Sequence, residues 1–158
     1  MKKRKTIAVV AHDNCKKELL EWASVNIDIL VRHKLVATGT TGAHVERLLR
    51  ETESLSGQQD EFPSVHKLKS GPLGGDQQMG ALISEGKIDL LFFFWDPMQP
   101  HPHDVDVKAL LRLAVLYNIP TACNRSSADF LISSPLIDGE YELKQDDFST
   151  YIERTVET

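Results

Sequence analysis

Ile88-Asp89-Leu90-Leu91-Phe92-Phe93-Phe94-Trp95 is the stretch on which the fold turns. Apart from Asp89 it is apolar without interruption. A strand with one wet face alternates apolar and polar residues. An unbroken run predicts a strand covered on both sides, as in a parallel sheet held between two layers of helices. Its eight residues fall far short of the roughly 20 that a membrane-spanning helix needs.

Moving outward, further strands are expected at Thr6–Ala11, Lys34–Thr38, Val65–Lys69 and Ile119–Asn124, with the central one over Ile88–Trp95. The segments between them carry helical periodicity. Cys15, Leu19, Trp22 and Ala23 lie at i, i+4, i+7 and i+8. Val45, Leu48 and Leu49 repeat the pattern, as do Met79, Leu82 and Ile83, and then Val107, Leu110, Leu111 and Ala114. A last helix is expected near Asp146–Val156, with Phe148, Tyr151 and Ile152 on one face. Glu51–Ser64 has no apolar period and reads as a surface loop. Strands alternating with helices imply right-handed crossovers. The expected fold is therefore α/β, a three-layer, Rossmann-like sandwich with a central parallel sheet of about five strands flanked by helices, forming a single domain over residues 1–158.

The composition narrows the function. The chain has 158 residues, 41% of them hydrophobic and 26% charged, with a formal charge of −5. That balance gives no electrostatic reason to bind nucleic acid or an anionic membrane. The basic run Lys2-Lys3-Arg4-Lys5 reads as a solvated terminus. The apolar run Ile7–Ala11 is too short for a signal-peptide core, so a cytoplasmic location is expected. In a reducing compartment Cys15 and Cys123 are expected to be small buried hydrophobes, not a disulfide.

Ligands of open parallel sheets bind at the carboxyl ends of the strands. Four polar or glycine-rich segments should emerge there together: His12-Asp13-Asn14-Cys15-Lys16, Thr38-Gly39-Thr40-Thr41-Gly42, Ser70-Gly71-Pro72-Leu73-Gly74-Gly75-Asp76, and the segment from Asp96-Pro97 to Asp106. Thr38–Gly42 reads either as an anion cradle opening a helix or as a plain turn with Thr41 as the cap. It is neither a P-loop nor the dinucleotide fingerprint. Lys16, one helical turn from His12, is either a phosphate partner or a solvated lysine. Asp76 is either a helix cap or a fixed catalytic carboxylate; a cap does not require Gly71-Pro72 and Gly74-Gly75 before it. His103 and Asp106 follow Pro97, Pro100 and Pro102, which make a stiff mount for an acid or an electrophile. His101, His103, Asp104 and Asp106 fit no standard zinc spacing, so no metal site is assigned.

Taken together, these motifs resemble the methylglyoxal synthase family. Ala11–Lys16, Ala37–Gly42, Ser70-Gly71-Pro72-Leu73-Gly74-Gly75-Asp76-Gln77-Gln78, Gly86-Lys87-Ile88-Asp89, Phe93–Pro97 and His103–Arg112 all take part, in order, from about Ile7 to Asp129. The resemblance implies a carbon–oxygen lyase that turns dihydroxyacetone phosphate into methylglyoxal and inorganic phosphate, a bypass of glycolysis, without cofactor or metal. It makes Asp76 the base, with His103 and Asp106 also catalytic. It places substrate binding on His12, Lys16, Thr38, Gly39, Thr40, Thr41, Ser70, Gly71 and His103. It further implies an allosteric homohexamer inhibited by phosphate, and sets Arg154 against a C-terminal arginine of the family. Two segments depart from the pattern: Gly42–Ser70 is longer, and Met98–Pro102 differs. Two other readings share parts of the site. A regulatory ligand-binding module needs the cradle but no base, and a phosphosugar isomerase shares the enolisation but yields a different product.

Overall fold

The structure, a computed structural model, describes residues 1–56, 64–99, 104–144, 147–149 and 153, with the backbone alone for 53–56. Five strands, β1 (Thr6–Ala11), β2 (Lys34–Thr38), β3 (Val65–Leu68), β4 (Leu90–Phe94) and β5 (Thr121–Ala122), form one sheet in the order β3-β2-β1-β4-β5. Every pairing is parallel. Six α-helices accompany them among the described residues: α1 (Lys16–Val25), α2 (Ile27–Leu30), α3 (Gly39–Ser56), α4 (Gly75–Ser84), α5 (Asp104–Leu116) and α6 (Arg125–Ile132). Short 3-10 turns at Asp13–Cys15 and Gly71–Leu73 lead into α1 and α4. None of the described helices is long and apolar enough to cross a membrane.

The unbroken apolar run of β4 is explained by its place. Leu90, Phe92 and Phe94 face one core, with Leu19, Trp22, Val45, Leu49, Ala128 and Ile132 from α1, α3 and α6. Leu91 and Phe93 face the other, with Met79, Ile83, Val107, Leu110 and Ala114 from α4 and α5. Trp22 stacks at a tilt on Phe92, ring centroids 4.7 Å apart. Truncating Phe92 to alanine would cost about 3–5 kcal/mol, because its ring is fully buried in the first of these cores.

The expected architecture is observed, with local corrections. The strands over Thr6–Ala11 and Lys34–Thr38 have the expected bounds. The last strand is only two residues long, not Ile119–Asn124. Asn124 instead caps α6, its side chain accepting the Ser127 N–H at 2.9 Å. The loop expected over Glu51–Ser64 begins later, because α3 continues to Ser56. An Arg47–Glu51 pair at 3.7 Å supports that exposed turn, which needs no apolar period. The rest of that loop and most of Asp146–Val156 lie outside the described residues. Cys15 and Cys123 are free and only half-buried, not fully buried as expected.

The order of the strands positions the site. The chain leaves β1 toward β2 and β3 on one side, then returns to β4 and β5 on the other. The switch point lies between β1 and β4, and the turns that follow the strands gather at their carboxyl ends, the edge at which open parallel sheets bind ligands.

Candidate active site

A cavity of about 490 Å³ lies at that edge. Val10, Ala11, His12, Asp13, Lys16, Thr38, Thr40, Thr41, Ser70, Gly71, Pro72 and Asp76 line it. The segments after β1, β2 and β3 thus converge; of the four expected there, the one after β4 contributes no described residue to the wall. Two helices, α3 and α4, begin at its wall. First-turn N–H groups have no partner within their own helix, so these ends favour an anion.

The basic wall is Lys16. Its ammonium donates to Thr40 Oγ1 at 2.5 Å and to Asp13 Oδ1 at 2.5 Å. Asp13 holds the lysine against the threonine turn, while one ammonium N–H is left over from these two bonds. Thr38 and Thr41 are buried, 5% and 2% exposed, and Thr40 is at the surface. Thr41 lies inside the first turn of α3, not at its cap.

The acidic wall is Asp76, 5% exposed, in the first turn of α4. Gly74, with φ of 94°, stands at the cap position, and no side chain caps this end. The cap-only reading of Asp76 therefore fails. Gly75 lies so close to the preceding loop that an added Cβ would stand 2.1 Å from the Lys69 carbonyl oxygen. That approach seats α4 directly on the Lys69–Ser70 turn and drives Asp76 into the cavity.

Gly39 joins two of the turns. Its N–H donates to the Lys69 carbonyl at 3.1 Å. Its own Cβ position lies 2.8 Å from Ser70 Cα. The residue ties the β2 turn to the β3 turn, and its N–H is already committed. Ser70 likewise accepts the Leu73 and Gly75 N–H groups on its carbonyl, at 3.0 and 2.9 Å.

His12 is 7% exposed and is fixed from two directions. Its backbone N–H donates to the Phe94 carbonyl at 3.1 Å. Its Nδ1 accepts the Asp96 N–H at 3.3 Å. A neutral ring accepting at Nδ1 carries its proton on Nε2, which makes His12 a donor.

Asp106 does not line this cavity. It opens onto a second one, of about 290 Å³, between α4 and α5, which Asp76 also lines from its other side. His103 lies outside the described residues, as does Arg154. Sequence reasoning did not single out Asp13, Asn14 or Asp96 as site residues. For Asp96 a signal existed: an Asp-Pro step just after a strand favours a side chain that accepts from its own loop. Its Oδ1 accepts the Met98 N–H at 2.9 Å and the Gln99 N–H at 3.3 Å.

The Cys15 thiol is pushed up from its usual range by burial first, and then by the nearby Asp96 and Glu18 carboxylates. It is held in the neutral form and is a poor nucleophile.

A parallel sheet covered on both sides, with a lysine–threonine turn and a buried carboxylate sharing one cavity at the carboxyl ends of its strands, has the parts that an α/β enzyme of phosphate esters requires. The family profile described as the MGS-like domain matches residues 18–123. A protein from Maridesulfovibrio salexigens named methylglyoxal synthase is 67% identical over 98% of this chain and 99% of its own. Another of that name, from Oleidesulfovibrio alaskensis, is 53% identical over 98% and 97%. A crystal structure of methylglyoxal synthase from Elizabethkingia anophelis superposes with a TM-score of 0.84 at 44% identity, covering 99% of this chain and 95% of that one. The chain belongs to the methylglyoxal synthase family.

Proposed function

We propose that this chain converts dihydroxyacetone phosphate to methylglyoxal and inorganic phosphate, with Asp76 as the base. The observation that carries the reading is a buried carboxylate and a lysine–threonine cradle sharing one cavity. The phosphate dianion sits against Lys16, Thr38, Thr40 and Thr41, with Ser70 and Gly71 closing the opposite side. Asp76 removes a proton from the hydroxymethyl carbon beside the ketone. The Nε2–H of His12 donates to a substrate oxygen, and His103 serves the enediolate oxygens. The carbon–oxygen bond to phosphate then breaks if it stands perpendicular to the enediolate plane. Electrons from the enediolate enter the new carbon–carbon double bond, phosphate departs, and the enol takes a proton on carbon to give methylglyoxal. Orientation by the cradle thus separates elimination from isomerisation.

Asp106 faces Asp76 from the second cavity and acts on that carboxylate, not on the substrate. Phosphate is an inhibitor because it fits the same cradle. The assembly is a homohexamer and the enzyme is cytoplasmic, in line with its family. The decisive experiment is incubation with dihydroxyacetone phosphate, chemical trapping of the dicarbonyl and measurement of free phosphate. Asp76→Asn should lower kcat by at least about 10²-fold while inorganic phosphate still binds. Glyceraldehyde phosphate in place of the dicarbonyl would make the chain an isomerase, and near-normal turnover by the variant would remove Asp76 from its role.

A further inference from the structure

The turn after β1 and the loop after β4 flank the switch point, and one exposed side chain joins them. Asn14 uses both N–H groups of its carboxamide across that gap. One donates to Asp96 Oδ2 at 2.8 Å, the other to Gln99 Oε1 at 2.6 Å. The far end of the same loop segment is stitched to Asp96 Oδ1 by the N–H groups of Met98 and Gln99. Asp96 in turn aims its backbone N–H at Nδ1 of His12. A chain of hydrogen bonds thus runs from a surface asparagine to a ring that lines the cavity.

We propose that Asn14 is a positioning residue for the reaction. It straps Asp96 and Gln99 to the β1 turn, and so keeps the Asp96 N–H on His12 Nδ1. That bond decides what His12 can offer. While Nδ1 accepts an N–H it cannot hold a proton, so the ring stays neutral and presents Nε2–H. Without the strap the Asp96 N–H moves away and Nδ1 becomes free to bind a proton. The neighbourhood then favours the cation. Asp13 and Lys16 stand on the turn that carries His12, Asp76 faces it from α4, and Asp96 lies beside it from the β4 loop. Among the described residues, three carboxylates against one ammonium, itself paired with Asp13, attract a proton to the ring. The Phe93 ring adds an apolar contact, roughly perpendicular to the imidazole with centroids 5.2 Å apart.

The inference rests on the phosphate-elimination reading for its kinetic part, but its central claim concerns a tautomer. The test uses Asn14→Leu, which has similar size and no donors, and Asn14→Asp, which has the same shape but adds a carboxylate opposite Asp96. Asn14→Gln keeps both donors on a longer stem. Nitrogen-15 spectra of the full chain, labelled at histidine, read the His12 ring directly. Wild type should give a neutral ring protonated at Nε2 across the working pH range. In Asn14→Leu and Asn14→Asp the ring should take up a proton at higher pH than in wild type. Their kcat/KM for dihydroxyacetone phosphate should fall by roughly 10- to 100-fold, the range of one hydrogen bond to a charged group. The acidic limb of the kcat/KM profile should move to higher pH in step with the ring. Asn14→Gln should recover part of both effects. A His12 ring that titrates as in wild type in the leucine and aspartate variants overturns the proposal, whatever the rates do. So does a loss of rate that is uniform across pH. If wild type does not act on dihydroxyacetone phosphate, the functional reading fails, and the ring titration still decides the role of Asn14.

Discussion

Replacing Gly75 by alanine is a substitution of a single methyl group, and the structure gives its consequence a size. The new Cβ would stand 2.1 Å from the Lys69 carbonyl oxygen and 2.9 Å from two backbone carbons, Lys69 C and Ser70 C. Ordinary contact begins near 3.4 Å, so helix or loop must yield by about 1.3 Å. No flexible side chain is available to absorb that movement, because every nearby atom is backbone. Two results follow. Overpacking of this kind costs about 1–3 kcal/mol, which for a chain of this length is a fall in Tm of roughly 5 °C. The displacement also falls on the residue before Asp76. A misplacement near 1 Å at a reacting group costs on the order of 10²-fold in rate. Steady-state release of the trapped dicarbonyl from Gly75→Ala should therefore show kcat/KM reduced by about 10²-fold. Gly74→Ala is the control. That residue has φ of 94° and only Gln77 Oε1, at 3.7 Å, near the added carbon. It should lose about 1 kcal/mol to backbone strain without pushing Lys69, and keep most of its activity. If Gly75→Ala stays within about twofold of the parent rate, or if the two variants lose activity alike, the displacement argument is wrong.

Lys16→Met removes the ammonium but keeps the apolar stem; KM for dihydroxyacetone phosphate and the inhibition constant for inorganic phosphate should both rise by roughly 10- to 100-fold, read from initial rates. At the opposite end of the sheet, His33 is 3% exposed and accepts the Lys5 N–H on Nδ1 at 3.3 Å. Burial lowers its pKa from the ordinary 6.5, overcoming the opposite pull of Asp138. The unfolded chain therefore binds more protons here than the folded one once the pH drops below 6.5. Its stabilising contribution is complete above that value and is lost as the pH falls toward the folded pKa. Thermal melts over that range should show His33→Gln losing less Tm than wild type; parallel curves would exclude His33 as the cause.

How far the sequence could be read depends on which physical signal each element carries. The central strand was legible because Leu90–Phe94 is buried on both faces, and burial writes itself into composition. The convergence of the turns after β1, β2 and β3 was legible because turns at a sheet edge need glycine, threonine and acidic residues in order. Asn124 was misread as strand because its capping bond to Ser127 is visible only in three dimensions. The extension of α3 was missed because Glu51–Ser56 carries no apolar period to read. Nothing in the residues flanking Gly39 announces that its N–H bonds the Lys69 carbonyl. Asn14 escaped notice for the same reason. A polar residue beside a site is defined by the loop it meets across the sheet, here 82 residues away in sequence.

The turns around the cavity are joined through their main chains: Gly39 to Lys69, Gly75 to Ser70, and His12 to Phe94. On the proposed reading this has a kinetic cost as well as a structural benefit. Walls braced in this way hold a phosphate dianion with the same strength whether it is still esterified or already released. Such uniform affinity concentrates substrate in the cavity but lowers no barrier. It also slows the departure of the inorganic product, because nothing in the cradle changes when the ester bond breaks. The turnover number is then left to the groups that meet charge as it develops: Asp76 at the carbon, and His12 and His103 at the oxygens.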